Sequence, residues 1–582
     1  MSATIDIVKA EITRNALGSA AEEMHDTLVR SAYNPLIFDV KDFGVAICSA
    51  DGKLWAEAPG LPVFLGTLPA TVRTINDKWG PDGLRDGDVI ICNDPYLTGT
   101  HLSDVAISLP VFHRGRLVAF TTCMAHWADI GSASAGGWST ASTEIFQEGL
   151  RFTNQRIFLA GEANRDLLDL IEANVRVPET VLGDLHAQVA TCRTGAERVR
   201  SICERYGADT VVELMDHVIA STERSLRAAI TALPDGVYHR AARLDFDGVD
   251  RDYEPVISTH VTVAGDRLSV SFTGTSGQAP GPINIGRPAV LSSVATAVKG
   301  ILDPLGRTND AHMLISDIEW PAEPTIVTPE EPAPCDSYGY ANVTITELVA
   351  YVLGRLTPDR GRASSYQMWA QYFLCTNAPA ERRFVLAEPV QGGHGAFPGH
   401  DGATLVYMGD GDTWNTPVEL LEARYPLICE QFSLNAGSAG AGEFRGGMGV
   451  RRDFRVLQEN SMIKTALEST KDPLSLGLAG GGTGRASHGE ITYPDGHVDV
   501  HHERLGDYPV PVGAVVGVRT GGGGGYGRPF DRDPERVAAD VRDELVTPLE
   551  AREVYGVALL PGRLRDAWLV DHEETARLRG RE

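Results

Sequence analysis

The 582-residue chain lacks paired cysteines, a surplus of basic residues, a long apolar run and a recognisable nucleotide loop. Its eight cysteines, at positions 48, 92, 123, 192, 203, 335, 375 and 429, form no C-x-x-C pair. Most sit in apolar surroundings such as Val89-Ile90-Ile91-Cys92. That argues against both a disulfide-rich scaffold and a thiolate zinc knuckle. Lys plus Arg number 52 against 78 Asp plus Glu, a net charge of −26. An acidic chain of this kind has no electrostatic footprint for nucleic acid or for anionic lipid. No stretch approaches the ~20 apolar residues that a membrane span requires. Met1 to Lys9 shows no basic region ahead of an apolar run, so no signal peptide is expected and a cytoplasmic protein is the default. The glycine runs Gly480–Gly484 and Gly521–Gly525 match neither GxxxxGK[ST] nor a GxGxxG in a βαβ setting. They are expected instead to serve turns or close backbone contacts. There is no GxSxG nucleophile elbow.

What is present reads as a large globular protein. Hydrophobic residues are 43% and charged residues 22%, while 62 glycines and 33 prolines imply many turns. Length suggests about four units. Residues 5–32 carry Leu17, Ala21, Met24 and Leu28 at helical spacing, and Asn34-Pro35 ends that helix. Val45–Cys48 and Lys53–Ala56 flank a turn and predict a hairpin. Residues 67–79 read as helix; Val89–Cys92 and Leu117–Cys123 read as strands. Residues 163–206 are expected to be helical with a break at Pro178, 211–232 helical, 268–272 strand, 343–354 helical and 535–556 helical. The fold class predicted is mixed α/β with several packed helical and sheet regions. The expected divisions are an N-terminal α/β region at 1–160, a helical region at 161–235, a mixed region at 236–380, a glycine-rich strand and loop region at 381–530, and a C-terminal helix and tail at 531–582.

The densest polar segment is Asn93-Asp94-Pro95-Tyr96-Leu97-Thr98-Gly99-Thr100-His101-Leu102-Ser103-Asp104. It follows a strand expected to be buried, where loops commonly present active-site groups. Ala125-His126-Trp127-Ala128-Asp129-Ile130-Gly131 repeats the His-x-x-Asp spacing. Two imidazoles with Asp94, Asp104 and Asp129 suit a divalent metal with an open position. The same residues could equally be hydrogen-bonded turn residues. Asp39, Asp42 and Glu57 are additional carboxylates that could ligate, cap helices or form salt bridges. Glu144 is either a helix-start carboxylate or a substrate-facing acid.

These segments together carry a resemblance. The chain is similar to the B-type components of the hydantoinase B/oxoprolinase family over roughly residues 5–560. The matching segments include Glu11–Leu17, Asn93-Asp94-Pro95-Tyr96, Gly99–Asp104, Ala125–Gly131 and Ser142-Thr143-Glu144-Ile145-Phe146-Gln147-Glu148-Gly149. Later ones are Phe272–Ser276, Pro280–Asn284, Asn415-Thr416-Pro417-Val418-Glu419, Arg445–Val450 and Gly522–Gly527. The sequence departs at Trp127, where the family usually has a second adjacent histidine. It departs also at Tyr33–Asp39 and at Asp540–Glu544.

The resemblance implies a two-component, ATP-dependent system acting on cyclic amides such as hydantoins and lactams. A hydantoinase A-like partner would hold ATP and Mg, in a 2:2 heterotetramer, while this chain supplies a substrate site with a divalent metal, zinc or manganese. It implies His101 and His126 as metal ligands with Asp104, Asp129 and Asp94, and Asp129, His126 and Glu144 as catalytic groups. The alternative it leaves open is a ketone carboxylase of the acetone or acetophenone type, with bicarbonate as co-substrate.

Overall fold

The structure is a computed structural model in which residues 6–375, 379, 383–407, 411, 413–468, 470–562 and 568–580 are described. The chain opens with helix α1 (Ile7–Ser31), started by the Asp6 carboxylate accepting from Lys9 N. Its face of Leu17, Ala21, Met24 and Leu28 is fully buried, each such leucine contributing ~1.5–3 kcal/mol of burial. Asn34 then caps the single turn α2 (Pro35–Phe38).

Seven strands follow and form one antiparallel sheet: β1 (Phe43–Ser49), β2 (Leu54–Glu57), β3 (Val89–Cys92), β4 (Asp104–His113), β5 (Arg116–His126), β6 (Gln155–Leu159) and β7 (Glu162–Ala163), in the order β2-β1-β5-β4-β3-β6-β7. The expected hairpin is β1 and β2, with Ala46 opposite Glu57. Helices cover both faces, which explains why these strands are almost uniformly apolar. Between β2 and β3 runs α3 (Phe64–Gly83), and between β3 and β4 the short α4 (Pro95–Thr98). Beyond the sheet come α5 (Arg165–Asn174), α6 (Pro178–Tyr206) and α7 (Ala208–Thr231). The break expected at Pro178 is there: α5 and α6 are separated at 175–177, and Pro178 takes the first position of the new helix.

Strand alternation sorts the faces. Thr121 donates to Cys192 O on α6, so odd-numbered β5 residues face α1 and α6. Met124 receives the Thr67 hydroxyl from α3, so even-numbered ones face the other side. That side also carries α8 (Arg287–Leu302), α9 (Asp310–Leu314) and α10 (Gly339–Leu356), which follow or interrupt a mixed sheet of β8 (Gly236–Arg243), β9 (Val256–Ala264), β10 (Arg267–Ser271) and β11 (Ser316–Glu319). One hydrophobic core runs from Ala10 to Ala466 and draws on all these regions.

The remaining chain builds a four-stranded sheet from Trp369–Cys375, Phe384–Pro389, Met462–Leu467 and Tyr508–Pro509. A five-stranded sheet comprises Leu427–Asn435, Gly449–Val456, Val515–Arg519, His488–Thr492 and Val498–His501. The division expected at 380–381 lies outside the described residues. The late glycine run is a packing device: a Cβ on Gly523 would meet His394 O at 2.0 Å, and one on Gly525 would meet Ala441 O at 2.1 Å. The expected 535–556 helix is two, Pro534–Arg542 and Pro548–Glu553, because Thr547 and Pro548 start a fresh capped turn. No helix among the described residues is long and apolar enough to cross a membrane.

Candidate metal centre

The register of β4 against β5 sets Asp104, the first residue of one strand, directly opposite His126, the last residue of the other. His101 reaches the same point from the loop before β4. That loop is held from behind. The Asn93 amide donates to Leu102 O at 2.7 Å and Leu150 O at 2.9 Å, and its oxygen accepts from Phe152 N at 2.6 Å. Gly99 turns the chain with φ +97°, and a Cβ there would collide with Ala289 N at 2.3 Å.

His101, Asp104 and His126 each offer a ligand atom, all within 4.8 Å of one another, and the three side chains are buried. His101 Nε2 lies 3.1 Å from Asp104 Oδ1. Its Nδ1 faces the Asp336 carbonyl at 3.0 Å and the Asp336 carboxylate at 3.5 Å. With the Nδ1 proton given to that carbonyl, Nε2 is left to coordinate, the outer-shell arrangement typical of histidine ligands. The second Asp104 oxygen accepts from the Tyr338 hydroxyl at 3.1 Å. Neither ring nitrogen of His126 has a partner among the described residues. A buried imidazole without any hydrogen bond is costly, and a cation bound by its lone pair removes that cost. The donor set of two imidazoles and one carboxylate, with no sulfur, fits zinc or manganese with an open position.

The electrostatics agree. Burial opposes charge on His101, but the Asp104 and Asp336 carboxylates outweigh it and hold its pKa well above the usual value. Burial, then the charge on His101, pushes His126 down to about 4, so it is neutral and able to donate. Burial would raise Asp104, yet His101 and His126 hold it below the ordinary carboxylate range. Asp42, two residues before Gly44 on the same sheet face, is raised by burial and by Asp104, against the pull of His101. His126 N donates to the Asp42 backbone carbonyl at 3.1 Å, and the Asp42 carboxyl lies near enough to feel the charges of Asp104 and His101.

An aromatic wall closes over His101. Trp138 meets it edge-on at 5.4 Å between ring centroids, and Tyr338 at 5.1 Å. Trp138 follows two left-handed glycines, and a Cβ on Gly137 would lie 2.5 Å from Ser103 Oγ. Two distant residues fix this segment. The Asp336 carboxylate accepts from Ser139 N at 2.5 Å. The buried Lys464 ammonium donates to Ser134 Oγ at 2.9 Å, Ala135 O at 2.7 Å and Gly137 O. Burial lowers its pKa to about 8.

Not every expected site residue joins the cluster. Asp94 caps α4 through Tyr96 N at 2.9 Å and lies 3.5 Å from Arg151. Asp129 is engaged by Arg176, accepting from Nη1 at 2.8 Å and from its backbone N at 2.5 Å. Glu144 is exposed and caps the turn Ile145–Gln147. In that motif the buried acid is Glu148. It accepts from Ser142 Oγ at 2.7 Å, Cys335 N at 2.9 Å and Asp336 N at 3.0 Å, and so positions the segment that braces His101. Trp127 points to the opposite face, where its indole donates to Gln188 at 2.8 Å. Asp336, Tyr338 and Lys464 carry no local signature; only their distance in the chain from His101 hides them.

The hydantoinase B/oxoprolinase family model matches residues 6–529. A putative D-/L-hydantoinase B-type component from Pseudomonas sp. (strain NS671) is 29% identical, covering 99% of this chain and 98% of its own. The β component of caprolactamase from Pseudomonas jessenii is 29% identical over 96% of this chain and 97% of its own. The crystal structure of ATP-dependent caprolactamase from that organism superposes with a TM-score of 0.89 and 26% identity, covering 99% of this chain and 100% of that one. A nucleotide-free acetone carboxylase structure gives the same TM-score at 19% identity, over 99% of this chain and 82% of that chain.

Proposed function

Because the chain belongs to the hydantoinase B/oxoprolinase family, we propose that it is the metal-bearing component of an ATP-dependent cyclic-amide hydrolase. The reading rests on the buried His101–Asp104–His126 cluster with its unpartnered imidazole. An A-type partner supplies ATP and Mg, in a 2:2 assembly; this sequence has no phosphate loop of its own. The described cysteines are all free, which suits a reducing, cytoplasmic setting.

A lactam or hydantoin amide is resonance-stabilised and resists water. Transfer of a phosphoryl group to its oxygen gives an imidate-like carbon that water can attack. The tetrahedral adduct then breaks its C–N bond, the nitrogen leaving as the protonated ring-opened amine. A second water hydrolyses the resulting acyl phosphate to carboxylate and phosphate. A divalent metal held by His101, Asp104 and His126 would supply Lewis acidity at this point. Asp42, a carboxyl beside the cluster and not one of its three ligands, is the group assigned to take the proton from the attacking water. Tyr338 holds Asp104 in orientation, and Asp336 holds His101. Trp138 and Tyr338 keep bulk water from His101.

The test is reconstitution. The purified chain, its A-type partner and the mixture are assayed with ATP against 5-oxoproline, N-methylhydantoin and caprolactam. Ring opening by the mixture alone, dependent on ATP and indifferent to bicarbonate, is the expected result. Equal activity without the partner would overturn the two-component reading. Incorporation of labelled bicarbonate into product would transfer the chain to the ketone carboxylases, an assignment for which the acetone carboxylase likeness shows only a shared fold.

A further inference from the structure

A cavity of about 430 Å³ lies on the same sheet face as the metal centre but is not part of it. It adjoins a second space of about 290 Å³, and Glu57, Lys299 and Thr308 line both. Its place follows from strand geometry. Asp42, Gly44 and Ala46 alternate onto one face, and Glu57 stands opposite Ala46. At ~3.3 Å per residue, Glu57 lies about 13 Å along the sheet from Asp42. Between them, Phe64 packs on Gly44, where a Cβ would come within 2.8 Å of the Phe64 side chain.

The lining has a definite chemistry. One wall is apolar, formed by Phe64, Leu65 and Ile301. The polar lining supplies a carboxyl acceptor, Glu57, and an ammonium donor, Lys299. Burial holds the Glu57 carboxyl up to about 7, against a hydrogen bond from Thr308 and the nearby Lys299 charge. Lys299 donates to Asp303 O, and burial lowers its pKa. The Thr296 hydroxyl is buried and has no partner among the described residues. The Arg362 guanidinium, also in the lining, is already engaged by Glu347 at 2.9 Å.

This set discriminates among ligands. A simple anion would meet Lys299 but oppose Glu57, and a simple cation would meet Glu57 but oppose Lys299, so a neutral ligand fits both. A hydrocarbon would bury the Glu57 and Lys299 head groups with no hydrogen bond in return. A cyclic amide meets each requirement: its N–H donates to Glu57, its carbonyl accepts from Lys299, and its methylenes lie on the apolar wall. The volume falls within the usual ~300–1,000 Å³ of small-molecule sites. We propose that this cavity is a holding site for the intact cyclic amide, set apart from the metal centre along the same sheet. The proposal rests on the cyclic-amide reading for the identity of the reaction, while the site is argued from its own lining.

Gly300 lines the cavity, and a Cβ there meets nothing within 4 Å, so Gly300→Leu fills the space without displacing backbone. Lys299→Met removes the donor that meets the ligand carbonyl at similar side-chain length. Both are made in the assembled two-component protein, with thermal unfolding as the folding control. The expected result is a KM for lactam raised about tenfold or more in Gly300→Leu, with kcat at saturation changed less than twofold and bound metal unchanged. Without ATP, caprolactam binding measured by saturation-transfer NMR should be present in the parent and lost in Gly300→Leu. Unchanged KM and unchanged binding in both variants would overturn the holding site. Absence of any ring opening by the parent would overturn the functional reading, while the ATP-free binding measurement still decides the cavity.

Discussion

His126 and Trp127 are consecutive in the chain yet face opposite sides of one sheet. The imidazole lies with His101 and Asp104, and the indole is bonded to Gln188 on α6. A histidine at 127 therefore cannot add a ligand to this cluster, because a strand turns successive side chains by about 180°. Trp127→His is expected to leave metal stoichiometry unchanged. It should lower stability by about 2–4 kcal/mol, as large core truncations do. Metal analysis together with thermal melting checks both halves. A second metal equivalent in the variant would refute the facing assigned here.

Metal binding should be strongly pH-dependent. Without metal, His101 holds its proton because Asp104 and Asp336 raise its pKa, whereas His126 is neutral above about pH 5 because burial lowers it. Binding must expel the His101 proton, so affinity rises with pH, about tenfold per unit while His101 is protonated. Calorimetry of zinc binding between pH 5.5 and 7.5, in buffers of different ionisation enthalpy, should show release of about one proton. His126→Ala should weaken binding by more than the ~10–100-fold typical of losing an outer-shell partner. A flat affinity profile, or full metal content in His126→Ala, would count against the assignment.

Asp42→Asn separates proton transfer from metal holding. The amide keeps the shape but cannot accept the proton of water. A loss of about 10²–10⁴ in kcat is expected in the assembled enzyme, with metal content retained. Metal loss in parallel with activity would instead make Asp42 a ligand.

Much of this architecture can be read from local pattern. The apolar spacing of α1, the turn between β1 and β2 and the polar run after Val89–Cys92 all point to what is observed, and His101, Asp104 and His126 stand out by residue type. What stays hidden depends on contacts across the chain. Asp129 has the same spacing from His126 as Asp104 from His101, but Arg176 on a distant connection claims it. Asp42 looks like any turn carboxylate until β1 pairs with β5 and brings it beside His126. Glu144 and Glu148 sit four residues apart in one motif, and only the fold shows that the second is buried beneath residues 335–336.

The brace on the Trp138 segment has a consequence for biosynthesis. Lys464 reaches back 330 positions to hold Ser134. A nascent chain that has emerged only as far as β11 already displays His101, Asp104 and His126. It has neither the Asp336 carboxylate nor the Lys464 ammonium that fixes their covering loop. Such long-range closure is slow to form. The metal pocket therefore matures only after the ribosome has delivered most of the polypeptide, and until then three good ligands stand open to whichever cation is most abundant.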